Sequence, residues 1–151
     1  MKTLGELISS GNGADTAITA PGQQALTYDG LRAQVDYTAS RLNELGVGRN
    51  DPVAIVLPNG PEMASAFICI GAAATTAPLN PNYREEEFGF YLEDLKPKLL
   101  VVAENTDSPV VASARKLGIN VASLLHREAD PAGKFELLGE PVANSSPTTG
   151  L

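Results

Sequence analysis

The stretch from Asp51 to Asn80, DPVAIVLPNGPEMASAFICIGAAATTAPLN, contains the two changes of pattern that decide the fold. Pro52 opens VAIVLP, a short, apolar, β-branched run bounded by breakers, which is the pattern of a parallel strand buried on both faces. Asn59-Gly60-Pro61 then starts a helix over Glu62 to Ala74, with Pro61 near the first position, where its missing N–H is harmless. The helix is apolar on nearly every face, so it is expected to pack on more than one side. TTAPLN, from Thr75, follows as a short strand and exit loop.

The alternation continues toward the C-terminus. REEEFGFYLEDL, Arg84 to Leu95, has a helical period in which Phe88, Tyr91, Leu92 and Leu95 form the expected buried stripe, and Pro97 limits its end. KLLVVAE, Lys98 to Glu104, is a second strongly apolar strand. A helix over Val110 to Leu117 stops at Gly118, and INVASLL, Ile119 to Leu125, is a third such strand. Alternation of this kind implies right-handed crossovers and a parallel sheet covered on both faces. From Pro131 onward the pattern is less regular: KFELLG reads as an edge strand, and EPVANSSPTTGL as linker.

Toward the N-terminus, TLGELISS is a short amphipathic helix with Leu4, Leu7 and Ile8 on one side, ended by Ser10 to Gly13. TAIT and QALT are brief extended segments joined by Pro21-Gly22, a turn dipeptide, and so form a small hairpin. From Thr27, a plausible N-cap, the apolar period Leu31, Val35, Thr38, Leu42, Leu45 predicts a helix that stops at Gly46. The fold class expected is therefore α/β: a mostly parallel sheet with helices on both faces, preceded by a small β-hairpin.

Composition bounds the function. With 151 residues, 43% hydrophobic and 19% charged, the chain has the balance of one folded domain. Its net charge is -7 and its eleven basic residues are scattered, so it lacks the concentrated cations that a nucleic-acid surface needs. The apolar run around AFICIGAAA is too short to span a bilayer, and MKTLGELISS lacks a signal-like apolar core, so a cytoplasmic location is expected. Cys69, the single cysteine, sits inside that run and reads as a small buried hydrophobe.

Three features invite a chemical reading. Glu85, Glu86 and Glu87 are consecutive on a helix, hence about 100° apart, and cannot converge on one metal ion; in a first turn they favour the helix dipole. His126, the only histidine, lies at the end of a predicted strand, where α/β proteins place functional groups, but its neighbours Arg127, Glu128 and Asp130 read as a solvated loop. No G-x-x-x-x-G-K or G-x-G-x-x-G phosphate loop is present, and Ser10 to Gly13 precedes a hairpin rather than a helix.

Two segments, in this order, resemble the adenylate-forming superfamily, which includes acyl-CoA synthetases and peptide-synthetase adenylation domains. LTYDGL, Leu26 to Leu31, resembles that family's L-T-Y-x-E-L motif with Gly30 in place of the glutamate. CIGAAATTAPLNPNYREEEFGFYLEDLKPKLLVV, Cys69 to Val102, resembles its A-G-x-x-x-x-P-L-N-P segment with the following helix and strand. The intervening residues are similar to the family's strand-to-helix crossover, and the likeness is strongest to the oxalate- and 4-coumarate-CoA ligase group. It implies a parent that activates a carboxylic acid with ATP and Mg²⁺ and passes the acyl group to coenzyme A.

The family's phosphate loop, Y-G-x-T-E segment, ribose-binding aspartate and mobile lysine have no counterpart here, so no catalytic, cofactor-binding or metal residue is carried over. Thr148-Thr149-Gly150 resembles part of the phosphate loop, but Pro147 takes the glycine position and removes a backbone donor, and no Pro-Lys follows. Residues 1–140 are thus expected to be the N-terminal α/β subdomain of a ligase, inactive alone and binding no cofactor itself. Residues 141–151 are expected to be a linker, and the partners to be the parent's remaining subdomains and its acid. Apolar surface left uncovered predicts self-association. The alternative is a stand-alone module binding a small molecule at the strands' carboxyl ends, near Pro58-Asn59, Ala77 to Tyr83 and Glu104 to Asp107.

Overall fold

The computed structural model describes residues 3–140. Its centre is a five-stranded sheet in the order β4-β3-β5-β6-β7, built from β3 (Pro52–Val56), β4 (Thr75–Pro78), β5 (Leu99–Ala103), β6 (Asn120–Leu125) and β7 (Glu136–Leu138). The first four strands run parallel, and β7 closes one edge antiparallel to β6, pairing Leu124 with Leu137. The α/β expectation holds, and KFELLG supplies the edge strand.

Both faces of the sheet are covered, which is why its strands read as unbroken apolar runs. Val53, Ile55, Leu57, Leu99, Val101 and Leu124 face a core shared with helices α1 (Leu4–Ser9), α2 (Tyr28–Glu44) and α3 (Pro61–Ala73). Their neighbours Ala54, Val56, Leu100 and Val102 face a second core with α4 (Glu85–Leu95) and α5 (Val110–Lys116). After β3 the chain steps one way to β4 through α3, and after β4 it steps back past β3 to β5 through α4. Helices α3 and α4 therefore lie on opposite faces, as crossovers of one hand require when the direction reverses.

Local signals act where they were read. The Thr27 hydroxyl accepts the Gly30 N–H at 3.1 Å and caps α2. Ala20 and Gln23 close the turn at Pro21-Gly22, where Gly22 takes φ 72°, the left-handed conformation that the third residue of a type II turn needs. The turn joins β1 (Thr16–Ile18) and β2 (Leu26–Thr27), which pair antiparallel as the hairpin.

Packing corrects two expectations. In α4 only Phe88 and Leu92 are fully buried, whereas Tyr91 lies at the surface, stacked on Tyr83 at 5.1 Å, and Phe90 is 66% exposed. In α1 only Ile8 is buried; Leu4, whose side chain lies beside Gly71 of α3, and Leu7 stay exposed. Helix α3 packs on more than one side as expected, against the sheet, α1 and α2, with Ala64 and Phe67 exposed on its outer side.

Helix α2 also seals the sheet edge. The Gln34 amide donates to the Phe135 carbonyl at 2.9 Å and accepts the Phe135 N–H at 3.3 Å. The Tyr37 hydroxyl accepts the Leu137 N–H at 3.0 Å, and Arg41 donates to the carbonyls of Leu137 and Gly139 at 2.8 and 2.7 Å. Three side chains one turn apart thereby occupy the outward backbone groups of β7, which would otherwise offer a free edge to another strand.

Candidate functional site at the strand switch point

A doubly wound sheet leaves a crevice where neighbouring strands send their connections to opposite faces. Here that point lies between β3 and β5. The crevice is a cavity of about 280 Å³ lined by the residues after β3 (Leu57, Pro58, Asn59), by Glu62 of α3, by Ala103 of β5 and Glu104 after it, and by Leu124 and Leu125 of β6 with His126 after them. Larger grooves between α4 and α5 and between α1 and α2 lie away from the strand ends. In the first, Glu85 pairs with Lys116 at 2.6 Å, and in the second Arg32 donates to the carbonyls of Ile8 and Ser9.

The structure gives His126 a setting that its sequence neighbours concealed. Its Nδ1 lies 2.6 Å from the Lys134 carbonyl, a group that only accepts, so Nδ1 carries the proton. The Glu62 carboxylate stands 3.4 Å from the same nitrogen, and the two side chains retain only 17% and 25% of their exposure. The ring is therefore held in place, and in its neutral form it presents Nε2 as an acceptor.

The loop from His126 to Phe135 forms one wall of the crevice. Ser65 donates to the Gly133 carbonyl at 2.5 Å, and the Ala132 N–H donates to Gln24 at 2.8 Å. Gly133, at φ 81°, sits so close to α3 that a Cβ there would stand 3.2 Å from the Pro61 carbonyl. Arg127 pairs with Glu136 at 3.1 Å, which raises the guanidinium pKa above its ordinary value, and Lys134 pairs with Asp130 at 3.5 Å. The nearby cations are thus directed to other carboxylates. Among the described residues, no lysine or arginine lines the crevice.

Of the strand-end segments expected to bind a ligand, Pro58-Asn59 and Glu104 line the crevice; Ala77 to Tyr83 and Asn105 to Asp107 do not. Leu79 and Tyr83 instead pack beside the α4–α5 core. Glu62 went unnoticed in the sequence, although an acid in the first turn after a strand was the available signal. The glutamates of α4 serve the helix: Glu87 accepts the Arg84 N–H at 2.8 Å, while Glu85 pairs with Lys116. Cys69 is buried, and burial pushes its thiol up to about 12. The stretch Ser145 to Leu151 lies outside the described residues.

Comparison with known proteins places this architecture. The family model described as AMP-binding enzyme matches residues 9–148. The chain belongs to the AMP-binding enzyme family. Within that family it is 38% identical over 118 residues to an oxalate–CoA ligase of Arabidopsis thaliana, covering 76% of this chain and 23% of that protein. It is 45% identical over 85 residues to an oxalate–CoA ligase of Saccharomyces cerevisiae, covering 52% of this chain and 15% of that one. The chain thus spans less than a quarter of the length of these relatives. Its fold is that of apo MatB from Rhodopseudomonas palustris, with a TM-score of 0.73 at 21% identity over 91% of this chain and 30% of that one.

Proposed function

We propose that residues 1–140 are the N-terminal subdomain of an ATP-dependent acid-CoA ligase, that 141–151 lead toward its phosphate loop, and that the chain is inactive alone. The observation that carries this reading is the 38% identity to an oxalate–CoA ligase of which the chain spans only 23%. The parent reaction converts a carboxylate, ATP and coenzyme A into an acyl-CoA, AMP and pyrophosphate through an acyl-adenylate. Its partners in that protein are the remaining subdomains and the carboxylic acid.

ATP, Mg²⁺ and coenzyme A belong to that parent, and the described residues do not fit them. The crevice carries the carboxylates Glu62 and Glu104 and no lysine or arginine, a lining that repels a triphosphate. No group of three or more His, Cys, Asp or Glu is placed to hold a metal among the described residues. The role left to this region is scaffold: a sheet sealed at β7 and covered on both faces.

Acid-dependent exchange of pyrophosphate into ATP tests the reading. The 151-residue chain should show none, and the protein expressed from the complete reading frame should show it. A frame that closes at Leu151, or exchange by the chain alone, would overturn the proposal.

A second reading, a stand-alone binding module, is favoured by the crevice at the strand ends. ATP is not its expected ligand, since the crevice's carboxylates repel a triphosphate; a natural reading frame that closes at Leu151 would support the module, and one that continues into the family's phosphate loop the fragment. No helix among the described residues is long and apolar enough to cross a membrane. We place the protein in the cytoplasm, supported by its unpaired, buried Cys69.

A further inference from the structure

We propose that Asn59 is a site of spontaneous modification, at which the side-chain amide is lost through a succinimide and the residue becomes aspartate or isoaspartate. This does not rest on the ligase reading. The chain contains two Asn-Gly pairs, Asn12-Gly13 and Asn59-Gly60, and by sequence the two stand level. A glycine after asparagine brings no side chain to hinder ring closure by its own nitrogen. In the first step the Gly60 nitrogen attacks the Asn59 Cγ, the bond from Cγ to the carboxamide nitrogen breaks, and that nitrogen leaves as ammonia with the Gly60 amide proton. Water then opens the succinimide: attack at Cγ gives aspartate, and attack at the main-chain carbonyl gives isoaspartate, with one more methylene in the backbone. Water is the one co-reactant.

Tertiary structure separates the two pairs, because the ring closes only where the asparagine side chain and the glycine N–H are both free to meet. Asn59 and Gly60 are exposed in the bend between β3 and α3, and among the described residues no hydrogen bond holds the Asn59 side chain or the Gly60 N–H. The Gly60 carbonyl accepts the Ala64 N–H at 3.2 Å, but that carbonyl is not part of the ring. Space is open as well: a Cβ added to Gly60 would approach Glu62 Oε2 alone, at 3.6 Å. Asn12-Gly13 is held instead. Asn12 Oδ1 accepts the Ala14 N–H at 3.4 Å, the Asn12 carbonyl accepts the Asp15 N–H at 3.0 Å, and the Gly13 carbonyl accepts the Asp29 N–H at 3.0 Å. The Asp29 carboxylate also crowds the place where a Gly13 Cβ would sit, so this glycine has little room to turn. Modification at Asn59 adds a carboxylate to the crevice wall, and the isoaspartyl form lengthens the backbone just before Pro61 opens α3.

The folded chain is kept at pH 8 in H₂¹⁸O, sampled over time and digested with trypsin, which places Asn12 in residues 3–32 and Asn59 in residues 50–84. Mass spectrometry should find the amide converted to a carboxyl carrying the heavy oxygen, with fragment spectra assigning it to Asn59. The conversion there should run about fivefold faster than at Asn12, the ratio that the net worth of one hydrogen bond gives. An isoaspartyl methyltransferase should label the Asn59 peptide in step with that conversion. In urea, where neither pair is held, the two rates should converge. An unchanged Asn59, a rate at Asn12 equal to or above that at Asn59 in the folded chain, or a difference that persists in urea would each overturn the proposal. Every comparison uses the chain's own sequence, so none depends on whether a variant folds.

Discussion

Gln34 hydrogen-bonds both amide groups of Phe135, a residue 101 positions further along the chain. The side-chain amide imitates a neighbouring strand, donating to the carbonyl and accepting from the N–H. Both residues are buried, so water cannot replace the pair without disturbing the packing of α2 on the sheet. We predict that Gln34→Leu destabilises the chain by about 2–4 kcal/mol, the sum of two backbone groups left unsatisfied. Urea unfolding measures it. A change below about 0.5 kcal/mol would show that the edge is not held by this residue.

The two phenylalanines of α4 should behave oppositely. Phe88 is fully buried between Leu92 and the sheet, so Phe88→Ala should lower stability by about 3–5 kcal/mol through lost burial and the cavity left behind. Phe90→Ser, at a position 66% exposed, should stay within about 0.5 kcal/mol. Thermal unfolding of both variants measures this difference in burial along one helix.

The same exposed side chains predict association. Phe90, Tyr91, Phe67, Leu4 and Leu7 present apolar surface that a longer protein would have reason to cover. Sedimentation velocity of the chain should show concentration-dependent dimerisation, weakened in a Phe67→Ser, Phe90→Ser double variant. A monomer at every concentration would refute this.

Cys69 should be silent toward thiol reagents. Burial raises its pKa to about 12 from 9.0, opposed by a weaker effect of a hydrogen bond with Thr38. At pH 8 roughly one thiol in ten thousand is ionised, so modification should await unfolding and run at least about 100-fold slower than in urea. The sign of the linkage follows. The unfolded thiol ionises first, so the stability that this group contributes is fully present below about pH 9 and is lost as pH rises toward about 12.

Gly133→Ala tests how the crevice wall is held. The residue adopts φ 81°, and an added Cβ would approach both the Pro61 carbonyl and the Ser65 Cβ at 3.2 Å. Expected is a loss of about 1–3 kcal/mol together with displaced His126 ring signals, since Lys134 is the next residue. Unmoved ring signals would show that the wall and the ring are held independently.

The secondary structure was legible to within a residue or two because its determinants are local. Thr27 caps the helix that follows it, Pro21-Gly22 sets its own turn, and the apolar runs at β3, β5 and β6 report burial on two faces without reference to any partner. The family, too, was readable, from LTYDGL and the segment at Cys69 to Val102 in sequence order.

What sequence could not assign was the identity of distant neighbours. Nothing near Gln34 indicates Phe135, and nothing near His126 indicates Glu62, 64 positions earlier, because such pairs exist only once the strand order β4-β3-β5-β6-β7 has brought their elements together. Helical period placed Phe88 and Tyr91 on one stripe and could not rank them in depth, since a helix shows which residues share a side and not how far the opposing layer extends over it. The sequence by itself determined the elements, their alternation and the family. Tertiary structure alone decided the crevice and the sealed edge, because both are made of contacts between residues that the chain's own local physics leaves far apart.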